Sequence, residues 1–145
     1  MKMVLCVCVG NISRSPMMHM VLQQLLGDTI VVESAGLSRE LAGRPANYRS
    51  VACMKERGID LSKHVSRWIG DLDLSRYRWI VCVGHEEAGK VHSALGNLSV
   101  DIMIANEHAG GIPDPYDHGM PGYWDCLALL DRVMPEIAHR IIDTQ

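Results

Sequence analysis

An apolar run over residues 3–9 gives way at Gly10 to a helix-like pattern that opens near Ser15-Pro16, and the junction reads Cys8-Val9-Gly10-Asn11-Ile12-Ser13-Arg14-Ser15. A thiol and an arginine separated by five residues, set between a strand and a helix, constrain this chain more than any other feature. That spacing lets the backbone curl so that successive N–H groups converge on one point, and the following helix adds its positive end. The loop would close around a single phosphate group. Gly10 and Asn11 best tolerate the left-handed backbone angles such a curl requires, and Arg14 offers a planar fork for two phosphate oxygens. The same field favours the thiolate over the thiol, whose ordinary pKa is about 8.5. Cys8 then becomes a nucleophile for phosphorus. The alternative for Cys8 is a small core residue, which is the reading adopted for Cys6, two positions earlier in the strand.

Strand-like and helical patterns alternate along the rest of the chain. Residues 3–9, 29–33, 79–83 and 100–105 read as strands, and residues 16–26, 48–57, 86–95 and 123–143 as helices. Residues 66–68 and 70–73 read as a short helix and a solvated connection. Alternation of this kind predicts an α/β fold, a four-stranded parallel sheet with helices on both faces joined by right-handed crossovers. At 145 residues it makes one domain over 1–145. Sites in such sheets lie beyond the carboxyl ends of the strands, where Cys8 falls.

A thiolate that displaces an alkoxide or phenoxide from phosphorus needs a proton donor for the leaving group. Asp114 is the candidate. It lies in Gly110-Gly111-Ile112-Pro113-Asp114-Pro115-Tyr116, on a long loop between the last strand and the last helix, and two prolines stiffen its position. An aspartate before proline is also a common turn residue, and from these residues alone both readings stand. Tyr116 would form one wall of an aromatic slot; its alternative is an exposed loop tyrosine.

The composition narrows the classes of partner. A net charge of −3 without a basic run argues against nucleic acid or an anionic membrane. Five cysteines without metal-type pairing, and no signal-like or spanning segment, predict a cytoplasmic, reducing setting. Cys53, Cys82 and Cys126 fall on apolar faces, and Met17, Met18 and Met20 read as packing residues. The seven histidines include no pair at helical spacing with a carboxylate partner. No metal is expected, and no cofactor, because thiol–phosphate chemistry needs none. His85, His92, His108, His118 and His139 are expected to face solvent.

Taken together, these segments resemble the low-molecular-weight protein tyrosine phosphatases, bacterial members in particular. The resemblance rests on Val4-Leu5-Cys6-Val7-Cys8-Val9-Gly10-Asn11-Ile12-Ser13-Arg14-Ser15-Pro16-Met17, on Ser34-Ala35-Gly36, on Gly58-Ile59 with His64 and Arg67 beyond it, and on Asp114-Pro115-Tyr116. It implies that Cys8 forms a phosphocysteine, that Arg14 binds the phosphoryl group and the transition state, and that Asp114 protonates the leaving group and then activates water. Val9, Gly10, Asn11, Ile12, Ser13 and Ser15 would line the phosphate loop. Ser34 and His64, with Asn11 and Ser15, would hold it curled. The implied substrate is a phosphotyrosine-bearing protein, a bacterial tyrosine kinase among the candidates, acted on by a monomer or weak dimer. Ile12 matches the tyrosine branch, since arginine phosphatases that look like this family carry threonine at the corresponding position.

Four positions depart from the family pattern. Ser13 replaces a second cysteine that would trap an oxidised nucleophile as a disulfide, so a sulfenic acid on Cys8 would lack its neighbouring partner. Leu37-Ser38-Arg39-Glu40-Leu41 lacks the tryptophan of eukaryotic members, leaving Leu41 or Glu40 to border the pocket. Val83-Gly84-His85-Glu86 stands where Met-Asp is common. A single tyrosine follows Asp114-Pro115, which argues against regulation through a phosphorylated tyrosine doublet. Two rival functions are weighed against the phosphatase. Arsenate reduction on this fold needs two further relay cysteines, and Cys82 has no partner in the following residues. A phosphate-binding module without turnover would not need Asp114.

Overall fold

The computed structural model describes residues 3–145. Its centre is a four-stranded parallel sheet in the order β2-β1-β3-β4, built from β1 (Met3–Cys8), β2 (Val31–Gly36), β3 (Tyr77–Cys82) and β4 (Asp101–Ile104). All six residues of β1 are buried, as expected of a strand covered on both faces. Alternate side chains of β1 enter two separate cores. Val4, Cys6 and Cys8 join Met17, Met18, Leu22, Tyr123, Leu127 and Leu130 beneath α1 (Arg14–Leu26) and α4 (Gly119–Asp143). Met3, Leu5 and Val7 join Ile80, Val91 and Leu95 beneath α3 (His85–Leu95). The remaining helix, α2 (Tyr48–Lys55), packs on α4.

The chain leaves β1 to one side to make β2, then crosses back to make β3 on the other side. This reversal opens a crevice at the carboxyl end of β1, where open α/β sheets bind ligands. The loop after Cys8 lies in it.

Element identities follow the sequence reading, while several boundaries shift for local reasons. β2 extends through Ser34-Ala35-Gly36 because their backbones pair with Cys6, Val7 and Cys8, although none of the three has a side chain that favours strands. α2 stops at Lys55, since Arg57 and Gly58 donate to the carbonyls three residues back and tighten the chain into a turn. α4 begins a turn early at Gly119 and carries Pro121 in its first turn, where a missing N–H costs no helical bond. Residues 66–68 are not the short helix expected. Ser66 is buried, Trp68 bridges Gly36, Val65 bridges Pro45, and the short helical turn follows at Ile69–Asp71.

The end of β2 presses directly on the phosphate loop. A Cβ on Gly36 would stand 2.8 Å from both the Gly10 carbonyl carbon and the Val9 carbonyl oxygen. Leu37 and Ser38 also donate their N–H groups to Val9 O at 2.8 and 2.9 Å. Gly36→Ala should therefore cost about 1–3 kcal/mol of stability through backbone overpacking. It should also weaken inorganic phosphate binding, as read by urea unfolding and by the phosphate-induced rise in Tm.

Candidate active site

The loop after β1 is held by Asn11. Its main chain adopts the left-handed conformation, φ 58°, and the residue is completely buried. Asparagine tolerates this angle better than other residues with side chains. Its backbone N–H donates to Cys8 Sγ at 3.2 Å, and its side-chain Nδ2 donates to Ser15 Oγ at 2.8 Å. Its Oδ1 accepts from the Arg67 N–H at 3.0 Å, which fixes the amide's orientation. Ser15 Oγ lies 3.0 Å from Cys8 Sγ. With its oxygen already accepting from Asn11, the Ser15 hydroxyl proton is free to point at sulfur.

His64 Nε2 lies 2.7 Å from the Asn11 carbonyl. A carbonyl only accepts, so Nε2 carries the proton. Burial holds the His64 pKa below its ordinary value, which favours the neutral ring. Ser34 enters this region through its backbone, accepting from the Arg67 guanidinium at 3.0 Å, while the hydroxyl bonds to the loop run through Ser15.

The open side of the loop is one wall of a cavity of about 350 Å³ lined by Cys8, Val9, Gly10, Ile12, Ser13, Arg14, Leu41, Arg44, Asn47, Asp114 and Tyr116. Cys8, although only 3% exposed and part of the core, thus borders a cleft that also holds Arg14 and Asp114. Arg14 is the first residue of α1, and its Nη1 donates to the Ile112 carbonyl at 2.8 Å. That bond ties the arginine to the loop carrying Asp114. Ile112 N–H in turn donates to Val83 O at 2.7 Å, and Asn106 Nδ2 donates to Gly111 O at 2.8 Å, anchoring the loop at the end of β3. Both readings of Asp114 meet here: its Oδ1 accepts from the Tyr116 N–H at 3.1 Å, making a turn, while the residue faces the cleft. Tyr116 is 63% exposed and stands at the mouth.

Of the two residues proposed to replace the missing aromatic wall, Leu41 borders the cavity. Its Cδ1 lies 3.0 Å from where a Cβ on Gly10 would stand. Ser13 Oγ lies 2.9 Å from the hydroxyl of the buried Tyr123. A serine here therefore ties the loop to α4 where the family pattern has a thiol. The other four cysteines are free and buried. Burial pushes Cys82 and Cys126 up to about 12 and raises Cys6 and Cys53, so all four stay protonated at neutral pH. This does not suit a thiol relay to Cys8.

Among the described residues there is no group of three or more side chains able to hold a metal ion. The five histidines expected to face solvent are exposed.

Sequence reading missed Ser66, His19, Ile112 and Arg44. Ser66 Oγ donates to Leu41 O at 2.6 Å and accepts from the Arg44 N–H at 2.9 Å, shaping the cleft's far wall. His19 sits on α1 beside Glu33, Ser34, His64 and Arg67, and its Nδ1 is buried without a partner among the described residues. No short motif marks these positions, because each acts through a neighbour distant in sequence.

The family model described as low molecular weight phosphotyrosine protein phosphatase matches residues 3–144, and the chain belongs to that family. It is similar to the probable low molecular weight protein-tyrosine-phosphatase EpsP of Ralstonia solanacearum, 32% identical over 132 residues that are 90% of each chain. It is also similar to the low molecular weight phosphotyrosine protein phosphatase of Homo sapiens, 40% identical over 87 residues that make up 57% of this chain and 54% of the human one. Among solved structures, Vibrio vulnificus Wzb in complex with benzylphosphonate superposes with a TM-score of 0.82 at 26% identity, covering 96% of this chain and 98% of that one.

Two outcomes follow from the anchoring contacts. Gly111 has φ 97°, and a Cβ there would stand 2.3 Å from Val83 O. Gly111→Ala should displace the loop that carries Asp114 and frees or holds Arg14, lowering kcat/KM on an aryl phosphate about 10- to 100-fold while the protein still melts cooperatively. The second outcome concerns pH. Burial, with His64 and Arg67 adding to it, lowers His19 from 6.5 to about 4. The unfolded chain therefore takes up a proton near pH 6.5 that the folded protein refuses until about pH 4. His19's contribution is complete above pH 6.5 and is lost as pH falls towards 4, about 3 kcal/mol in all. Urea unfolding at several pH values should show a shallower loss of stability across this window in His19→Gln.

Proposed function

We propose that the chain is a cysteine-dependent protein tyrosine phosphatase that hydrolyses phosphotyrosine through a phosphocysteine intermediate. The observation that carries this reading is the convergence of Cys8, Arg14 and Asp114 on one cavity, from β1, α1 and the loop after β4. In the first step the Cys8 thiolate attacks phosphorus and the bond to the tyrosine oxygen breaks. Asp114 gives its proton to the departing phenoxide. Arg14 and the loop N–H groups hold the phosphoryl oxygens, whose charge develops in a site already arranged to receive it. In the second step water attacks the phosphocysteine, its proton passes to the Asp114 carboxylate, and the sulfur–phosphorus bond breaks to release inorganic phosphate and the thiolate.

Ser15 and Asn11 N–H stabilise the thiolate at rest and as leaving group, and His64 keeps the loop in its curled form through Asn11. Tyr116 and Leu41 both line the cavity and would contact the phenyl ring. The physiological substrate is a phosphotyrosine-bearing protein, a tyrosine kinase being one that the family resemblance favours. The acidic net charge and the lack, among the described residues, of any helix long and apolar enough to cross a membrane fit a protein partner met in solution. A catalytic thiol that must stay reduced fits the cytoplasm.

Rapid-quench turnover of an aryl phosphate tests this assignment. Wild type should show a burst of phenol and a trapped phosphoenzyme, and Cys8→Ser should lose both. Asp114→Ala should slow turnover about 100-fold or more on poor leaving groups and far less on good ones. Phosphate binding without turnover in wild type would instead indicate a binding module.

A further inference from the structure

We propose that Arg44 determines substrate choice by recognising acidic residues that flank the phosphotyrosine, an inference that rests on the phosphatase reading above. The cleft is lined by two cations, Arg14 and Arg44. Arg14, the first residue of α1, already bonds the Ile112 carbonyl and in the reading above takes the phosphoryl group. Arg44 is exposed, and its guanidinium meets only the Glu40 carbonyl, at 3.4 Å. Among the described residues the ion pairs are Arg57–Asp131, Arg67–Glu33 and Lys90–Glu86, so Arg44 has no carboxylate partner. In a chain of net charge −3, an arginine without a carboxylate at the mouth of a catalytic cleft presents a positive charge for a ligand to meet.

The backbone beneath it is rigid. Arg44 N–H is bonded to the buried Ser66 hydroxyl at 2.9 Å, and its carbonyl accepts from Ser66 N–H at 2.8 Å. Gly43 N–H donates to Ser66 O at 2.8 Å, Pro45 bridges Val65, and Asn47 N–H donates to Ile12 O at 2.9 Å, tying the segment to the phosphate loop itself. Arg44 thus projects from a fixed point beside the slot, so less ordering entropy opposes its pairing with a substrate carboxylate. On the other side of the cleft Asp117 follows Tyr116 in the chain. An acidic flank would be repelled there and attracted to the Arg44 side.

The test compares kcat/KM for three phosphotyrosine peptides of the same length, with glutamate, alanine or lysine on both flanks. Wild type should prefer the glutamate over the alanine peptide about three-fold at low salt, as expected for an exposed ion pair. The preference should lie in KM, because the contact is made equally in ground and transition states, and should shrink as salt is raised. Arg44→Gln should bring the glutamate-to-alanine ratio to about one, Arg44→Lys should keep it above one, and Arg44→Glu should favour the lysine peptide. Each ratio is internal to one variant, so a general loss of stability cancels. Equal turnover of all three peptides by wild type would overturn the inference, as would a ratio that Arg44→Gln leaves unchanged, the result expected if Arg44 served only the phosphate. Wild type that turned over none of the peptides would overturn the phosphatase reading, and this inference with it.

Discussion

The left-handed turn at Asn11 is the constraint on which the site depends. One buried residue at φ 58° sets the loop N–H near Cys8 sulfur, places Ser15 against the same sulfur, and receives His64 and Arg67 N–H as outside supports. A curl of several N–H groups around an empty centre is electrostatically unfavourable until an anion fills it. The bonds between Asn11 and the distant His64 and Arg67 hold the curl in place. Every supporting bond comes from a residue that the sheet has already carried to the carboxyl end of β1.

The departures from the family pattern acquire local explanations in this frame. Serine at position 13 bonds to Tyr123 on α4, so the place of the missing thiol is taken by a tether between loop and helix. Val83 and Gly84 follow β3 where the loop that carries Asp114 returns: Ile112 N–H bonds to Val83 O, and Gly111 lies so close to both residues that only glycine fits. The absence of the aromatic wall leaves Leu41 against Gly10, with its carbonyl fixed by Ser66. The cleft wall there is an aliphatic side chain, and Arg44 lines the cleft with it.

Coupling between arginine and acid runs through one carbonyl. Arg14 Nη1 bonds to Ile112 O, two residues before Asp114. The arginine proposed to bind phosphate and the aspartate proposed to donate the proton therefore share a support, and the loop that carries Asp114 is held relative to Arg14 by that bond. Preorganisation of this sort lowers the reorganisation that catalysis would otherwise require.

Much of the fold and of the chemistry was legible in the sequence. Alternating apolar and amphipathic segments identified four strands and four helices, since burial on both sheet faces leaves continuous apolar runs in residues such as those of β1. The spacing from Cys8 to Arg14 pointed to a loop whose two ends line one cavity, because the curl is a local property of consecutive residues. Boundaries at Gly36, Lys55 and Gly119 were not legible, for they are set by pairing with β1, by a tightened turn and by a proline placed where its missing N–H costs nothing. Ser66, His19 and Arg44 were beyond reach for a deeper reason. Each has neighbours many residues away that give it its place, and such neighbours are chosen by the packing of whole elements. The sequence by itself determined a phosphate loop with a thiol at its base; only the tertiary structure decided which distant side chains hold that loop, shape its slot and set the charge at its mouth, because those contacts exist only once the sheet brings its strand ends together.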